Sequence, residues 1–174
     1  MNLIFRFLKT ILLYLVHPYK RGLFEESKIS FRVWPNDLDT NFHMNNGRYL
    51  TLLDLGRLDL LLHLQAVPKL MKNHLGPVLA SVQVRFRRPL KLGQKFEVVT
   101  RFVTWDTKWI YLEQKIFRKG DLVLHAYLKG VFVGPKGSVP ITQVLELMGF
   151  KESPKPFPAA FSEWLRAEEA MVKQ

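Results

Sequence analysis

Residues 45–64 read NNGRYLTLLDLGRLDLLLHL. Leucine stands at 50, 52, 53, 55, 58, 60, 61, 62 and 64. Wound at about 3.6 residues per turn, these side chains fall on nearly every side of a cylinder, and a helix apolar on most faces is a buried one. Asn45 and Asn46 mark its start, because an Asn side chain accepts a hydrogen bond from an unpaired N–H of the first turn. Pro68 lies beyond its end. Such a helix needs something to enclose it.

Downstream the period changes from 3.6 to 2. In SVQVRFRRPL (81–90), Val82, Val84 and Phe86 alternate with Gln83, Arg85 and Arg87. KFEVVTRFVTW (95–105), KWIYLEQKIF (108–117) and LVLHAYLKGVFV (122–133) follow as three more strands. The connectors LGQ, WDTK and RKGD carry residues that tolerate turn dihedrals. The pattern predicts a four-stranded antiparallel meander. Upstream, Ile29, Phe31 and Val33 alternate with Ser30 and Arg32, a further strand closed by Pro35, which has no N–H for the ladder. A sheet of five or more strands buries one long helix by curling around it. The fold class is therefore α+β, a long buried helix wrapped by a curved antiparallel sheet.

The remaining segments are shorter. VPKLMKNHLGP (67–77) reads as a turn or short helix closed by Gly76 and Pro77. After Pro140, ITQVLELMGF forms a short helix ended by Gly149, ESPKPFP a proline-rich turn, and residues 159–174 a further helical segment. The expected division is an amphipathic segment over 1–20, the helix-and-sheet domain over 21–139, and a C-terminal helical extension over 140–174.

A chain of 174 residues, 48% hydrophobic and 13% aromatic, suits one folded domain. It has no Cys, which removes disulfides, thiolate metal sites and Cys nucleophiles; a reducing cytoplasm is compatible and is the expected location. The net charge of +11 favours anionic partners: nucleic acid, an anionic membrane or a phosphate-bearing small molecule. No zinc-finger spacing, helix-turn-helix or RNP pattern is present, so no nucleic-acid partner is expected. The five His lack metal-ligand spacing, so no metal is expected. No G-x-S-x-G elbow or phosphate-binding Gly-rich loop occurs.

In MNLIFRFLKTILLYLVHPYKRG (1–22), Leu3, Ile4, Phe7, Leu8, Ile11, Leu12 and Leu15 recur at helical spacing, with Arg6, Lys9 and Thr10 elsewhere. The run is too short and too charged for a spanning helix. Three readings stay open: a helix capping the sheet or a dimer groove, an in-plane membrane helix helped by Lys20 and Arg21, and a signal peptide.

The chemistry concentrates just before the buried helix, in WPNDLDTNFHMNNGRYL (34–50). DLDTNFHMNNGRYL resembles the signature of hotdog-fold acyl-CoA thioesterases of the 4-hydroxybenzoyl-CoA thioesterase type, roughly D-x-x-G-H-x-N-N-x-x-Y-L. It places Asp39, His43, Asn45, Asn46 and Tyr49 at matching positions. The form DLD…HMNN, with WDTKWIYLEQKIF and the apolar N-terminus, is most similar to the group of thioesterase superfamily member six. The resemblance covers most of the chain. It departs at Phe42, where the family usually has Gly; a ring there would narrow the acyl pocket or reshape the loop.

The resemblance implies hydrolysis of an acyl-CoA thioester to a carboxylic acid and free CoA, with CoA entering only as part of the substrate and no added cofactor. It assigns the catalytic carboxylate to Asp39, as general base or as nucleophile. On its residues alone, Asp39 is equally a turn or capping acceptor, and His43 either orients Asp39 or braces the loop. Asp37 reads as a loop hydrogen-bond acceptor. Of Asn45 and Asn46, one caps the helix and the other holds the loop or touches substrate, with Tyr49 beside them. The backbone N–H groups near Asn46 and Gly47 are the expected oxyanion donors, because a helix N-terminus carries unpaired N–H groups and a positive potential. Arg85, Arg87, Arg88 and Lys91 are candidates for the CoA phosphates, or else a solvated strand face or an edge guard. Trp105, Trp109, Tyr111 and Phe117 line an acyl pocket or subunit contact, or pack an ordinary core.

The family further implies a homodimer joined sheet edge to sheet edge, or a dimer of dimers, with the site at the interface. Two rival functions stand beside this one. The first is a non-catalytic, membrane-associated acyl-CoA or lipid-binding protein. The second is a hydroxyacyl dehydratase pairing a loop His with Asp54 or Asp59, at a spacing that fits poorly.

Overall fold

The leucine-rich stretch is helical from Asn46 to His63 (α2), and Leu52, Leu53, Leu55, Leu60 and Leu62 on it are buried. Asn45 is its N-cap: its side-chain oxygen accepts from Gly47 N at 2.9 Å. At Gly56 the helix presses on the sheet. A Cβ there would sit 2.7 Å from Val98 Cγ1 and 2.8 Å from Thr100 Oγ1, so only a hydrogen fits. Gln114, fully buried on the sheet, donates to Leu53 O at 2.9 Å and Thr100 Oγ1 at 2.8 Å, and accepts from Arg57 at 2.9 Å. The polar atoms at this crossing are thus paired, as burial requires.

The structure is a computed structural model that describes residues 2–172. Met1, Lys173 and Gln174, the outermost residues of the two expected terminal segments, lie outside the described residues. Among those described, six strands form one antiparallel sheet: β1 (Ser27–Arg32), β2 (Gly76–Phe86), β3 (Lys95–Trp105), β4 (Ile110–Arg118), β5 (Asp121–Gly134) and β6 (Gly137–Val139). The order is β1-β3-β4-β5-β2, with β6 also on β5. The sheet curls around α2, and this is the hotdog fold.

The four-strand meander holds for β3, β4 and β5 only. β2 pairs with β5, Val82 opposite Leu128, at the far side of the sheet from β1. The reason lies in residues 87–94, which do not fold back as a hairpin. Leu90 is fully buried; its N–H donates to Tyr49 Oη at 3.0 Å and its carbonyl accepts from Met44 N at 2.8 Å. Gly93 N donates to Val33 O at 3.0 Å. The segment crosses the mouth of α2 to reach β3, next to β1 on the other side of the sheet. Gly76 and Pro77, read as closing a short helix, instead open β2; the helix α3 spans Val67–Lys72.

The two outer helices pack on opposite sides. Helix α1 (Asn2–Val16) lies against α2 and β1, and the side chains it buries there are polar. Arg6 and Thr10 are buried, while Ile4, Phe5, Leu8, Leu12, Leu15 and Val16 are exposed. Val33 turns its N–H to Gln94 O, so alternation turns the carbonyls of Ser30 and Arg32 to the outer edge of β1. Lys9 Nζ donates to Ser30 O and Arg6 Nη2 to Arg32 O, each at 2.8 Å. The helix α4 (Ile141–Met148), ended by Gly149 at φ 88°, joins the main core through Ile141, Val144, Leu145 and Met148. The helix α5 (Ala159–Val172) covers the outer face of the sheet, where Phe161 and Trp164 pack on Val103 and Tyr111. No described helix is long and apolar enough to cross a membrane.

Candidate active site

The loop between β1 and α2 is built on two aspartates that face different ways. Asp37, at the end of a single 3-10 turn over Pro35–Asp37, is fully buried. Its carboxylate accepts Arg6 Nη1 at 3.0 Å, Arg6 Nη2 at 2.5 Å and Trp34 N at 2.8 Å. Its backbone carbonyl accepts Asn45 N at 2.8 Å, which ties the turn to the helix cap. Asp39 is only partly buried. Its Oδ1 accepts Asn41 N at 2.9 Å and His43 N at 3.2 Å, an Asx turn that fixes the carboxylate. Its Oδ2 accepts no hydrogen bond from the described residues. Asp39 N donates to His43 O at 2.8 Å and Phe42 N to Asp39 O at 3.1 Å, which closes the loop tip.

Phe42 takes the left-handed conformation, φ 56°, that glycine adopts at no steric cost. Its ring is 78% exposed. The loop therefore takes a backbone conformation that suits a Gly, and Phe42 is not among the residues that line the cavity at the mouth of α2.

A cavity of about 310 Å³ opens at the mouth of α2, lined by Asp39, His43, Asn46, Tyr49, Phe86, Arg87 and Arg88. Asn46 is the first residue of the helix, and its N–H has no acceptor among the described residues. Gly47 N is taken by the Asn45 cap, so of the two expected oxyanion donors only Asn46 N–H is free to serve. Tyr49 is buried with its Oη on Leu90 N and its ring edge-on to Phe86 at 5.5 Å. Burial first, and the Asp39 charge besides, push its hydroxyl above the ordinary tyrosine value, against the bond from Leu90. It remains a phenol with its own O–H to donate.

The basic residues separate. Arg87 and Arg88 follow the last residue of β2 and reach the cavity; Arg88 also pairs with Asp121 at 2.6 Å. Arg85, still on the strand opposite His125, lines a different hollow with Tyr127 on the outer face and does not join the site. Lys91 sits behind the loop, in a backbone bridge with His43, and lines neither hollow. Asp54 and Asp59 do not meet His43 in the cavity. Asp54 pairs with Arg57; Asp59 is buried against Ser27 and, at 3.6 Å, His63. The dehydratase arrangement is absent from this geometry.

Residues 33–165 match the model of the Thioesterase-like superfamily. The chain belongs to that family. It is 29% identical over 160 residues to Protein THEM6 of Xenopus laevis, covering 91% of this chain and 76% of that protein. Among solved structures, a probable thioesterase, YbaW from Escherichia coli, superposes with TM-score 0.64 at 23% identity, over 70% of this chain and 98% of that one. A 4-hydroxybenzoyl-CoA thioesterase mutant complexed with 4-hydroxybenzoyl-CoA gives TM-score 0.64 at 16% identity, over 71% and 98%. At these identities the two superpositions establish the hotdog fold.

This thioesterase-like chain has a second cavity that sequence reasoning did not find. It measures about 300 Å³ and lies between α2 and the sheet, lined by Leu58, Leu61, Val78, Phe102, Leu112, Phe132 and Met148. Arg57, also at its wall, is pushed down to about 10 by burial. The lining comes from α2, four strands and α4, so no one stretch of sequence carries a signal for it. The aromatics named for an acyl pocket lie elsewhere. Trp105 packs in the core with Phe24 and Phe102, and Tyr111 lies under α5 against Phe161.

Proposed function

We propose that the chain hydrolyses an acyl-CoA thioester: water adds to the carbonyl, the C–S bond breaks, and a carboxylic acid and free CoA leave. The observation that carries this reading is that one cavity gathers Asp39, Asn46 with its free N–H, and the two basic residues Arg87 and Arg88. The thioester oxygen, placed at the mouth of α2, meets Asn46 N–H and the positive end of the helix, which stabilise the charge that develops there. Asp39 presents Oδ2, the oxygen its own loop does not use. It acts through that oxygen, either taking a proton from the attacking water or attacking the carbonyl itself. Arg87 and Arg88 suit the phosphates of CoA, since each guanidinium offers a planar fork of donors. The reaction uses water alone and no added cofactor.

The finer assembly follows from the sheet edges. β2 leaves its outer edge open and exposes Val78, Leu79 and Phe86, which suits a second copy of this chain paired along it in a homodimer. Phe86 lines the candidate site, so such a pairing sets that site at the interface. The exposed apolar side of α1 is the candidate for peripheral membrane contact.

The test is free-thiol release from short, long and aromatic acyl-CoAs by the wild type and Asp39→Asn. A folded Asp39→Asn chain is expected to lose turnover by about 10²-fold or more. Unchanged turnover would remove Asp39 from the reaction. Single turnover in ¹⁸O-water tests the nucleophilic route: label in Asp39 shows an acyl-Asp39 anhydride that water opened at the Asp39 carbonyl, and where label is found only in the product acid, rapid-quench capture of that anhydride separates nucleophile from base.

A further inference from the structure

Arg6 is 31 residues from Asp37 in the chain and belongs to a helix that contributes no residue to the lining of the cavity, yet both its terminal nitrogens reach the active-site loop. Its two terminal nitrogens hold both oxygens of Asp37, and one of them also holds Arg32 O, the last carbonyl of β1. Its guanidinium lies 5.0 Å from the centre of the Trp34 ring. Arg6 and Asp37 are 5% and 0% exposed at their side chains, so water does not replace either partner. From Asp37 the connection continues without a gap. Its carboxylate fixes Trp34 N at the entrance of the loop, and its carbonyl fixes Asn45 N at the exit. Asp39 lies between these two anchors, and Asn46 follows the second.

We propose that Arg6 is a positioning residue for the thioester site: helix α1 holds the span from Trp34 to Asn46 in its reactive geometry through the Arg6–Asp37 pair. The inference rests on the reading of Asp39 and Asn46 given above. Its physical content is that Arg6 touches no substrate and sets where Asp39 Oδ2 and Asn46 N–H stand relative to one another. Displacement of reacting groups by about 1 Å costs on the order of 10²-fold in rate. A planar two-headed donor fixes the direction of a carboxylate, which an ammonium does not. The same helix turns its apolar side outward, so anything that grips that side pulls on the loop.

The test uses the full chain with Arg6→Ala and Arg6→Lys, read by thiol release and by backbone amide exchange. For Arg6→Ala, kcat is expected to fall about ten-fold or more while KM stays within about two-fold, the pattern of a lost transition-state arrangement. Exchange at the amides of Asn41, His43 and Asn45 is expected to rise while that of Leu52 and Leu53 in α2 does not. Millimolar guanidinium is expected to restore part of the lost kcat in Arg6→Ala and to leave the wild type unchanged. Arg6→Lys, which keeps the charge without the fork, falls between the two, and it carries the test alone if Arg6→Ala does not fold. Wild-type kcat in either folded variant, or exchange raised evenly over loop and helix, overturns the proposal. If the wild type hydrolyses no thioester, the hydrolase reading fails separately. Amide exchange then decides: a rise confined to 38–46 keeps the clamp, and no rise removes it.

Discussion

At one edge of the sheet, β1 turns the carbonyls of Ser30 and Arg32 outward, and α1 answers them with Lys9 and Arg6. At the other edge, β2 exposes Val78, Leu79 and Phe86, and no described element pairs along it. Unpaired edges invite pairing with another chain, and proteins usually blunt them. Here one edge is blunted from within by cations and the other is left apolar. The difference teaches that an amphipathic helix need not bury its apolar side. Helix α1 docks through the stripe that has partners to satisfy, two edge carbonyls and a buried carboxylate.

The most damaging way to break the closed edge is Asp37→Ala. It leaves the Arg6 guanidinium buried without its carboxylate, and removing one partner of a buried pair costs about 3–5 kcal/mol. The expected result is a denaturation midpoint lowered by that amount at unchanged m-value. Breaking the open edge should leave the fold intact. With Val78→Lys and Leu79→Lys together, two charges enter the apolar edge that a pairing along β2 would bury. The dimer dissociation constant is expected to rise at least ten-fold, about 1.4 kcal/mol, read by sedimentation. A single-copy mass for the wild type at micromolar concentration would show that the open edge has another use.

Between the edges, the outer face carries a cluster that sharpens the comparison through pH. Burial alone would raise the Glu113 carboxyl, but bonds from Lys115, His125 and Arg101 together hold it below its ordinary value. A carboxyl depressed in the folded state stabilises the fold fully above its ordinary value, about 4.3, and loses that contribution as pH falls through the lower folded value. The gap in thermal midpoint between the wild type and Glu113→Gln is therefore expected to be constant at neutral pH and to shrink below about pH 4. The smallest effect belongs to the outward side of α1. Leu8→Gln should change stability by less than about 0.5 kcal/mol, since Leu8 is 54% exposed, while reducing sedimentation with anionic vesicles.

Much of this was legible in the sequence because it rests on local periodicity. Leucine on all sides of α2 announced burial, and strict alternation gave the full span of β3. Alternation assigns faces and not neighbours, so it did not reveal that β2 crosses to β5. It also left the arginines unsorted. Arg85 is still bound by the strand and faces outward, whereas Arg87 and Arg88 lie past its end and turn to the cavity. The Asn45 cap was readable from residue type, but its consequence, that Gly47 N–H is no longer available, needed the geometry. Phe42 in place of Gly suggested an altered loop; the backbone accepts the left-handed conformation and keeps the loop. The orientation of α1 was out of reach for another reason: most of its apolar side chains stay exposed, and Arg6 declares itself only when Asp37 is brought against it.

The register of the closed edge also says something about time. Ser27 pairs with Thr100 and Arg32 with Lys95, so the neighbour of β1 is made long after β1 itself. During synthesis, α1 and β1 emerge before β3 and wait, with an apolar helix surface and an unpaired strand, until β3 leaves the ribosome. Contacts so distant in sequence form slowly, and chains held in such intermediates associate. The helix that will later seal one edge is, for most of the chain's birth, the segment most in need of cover.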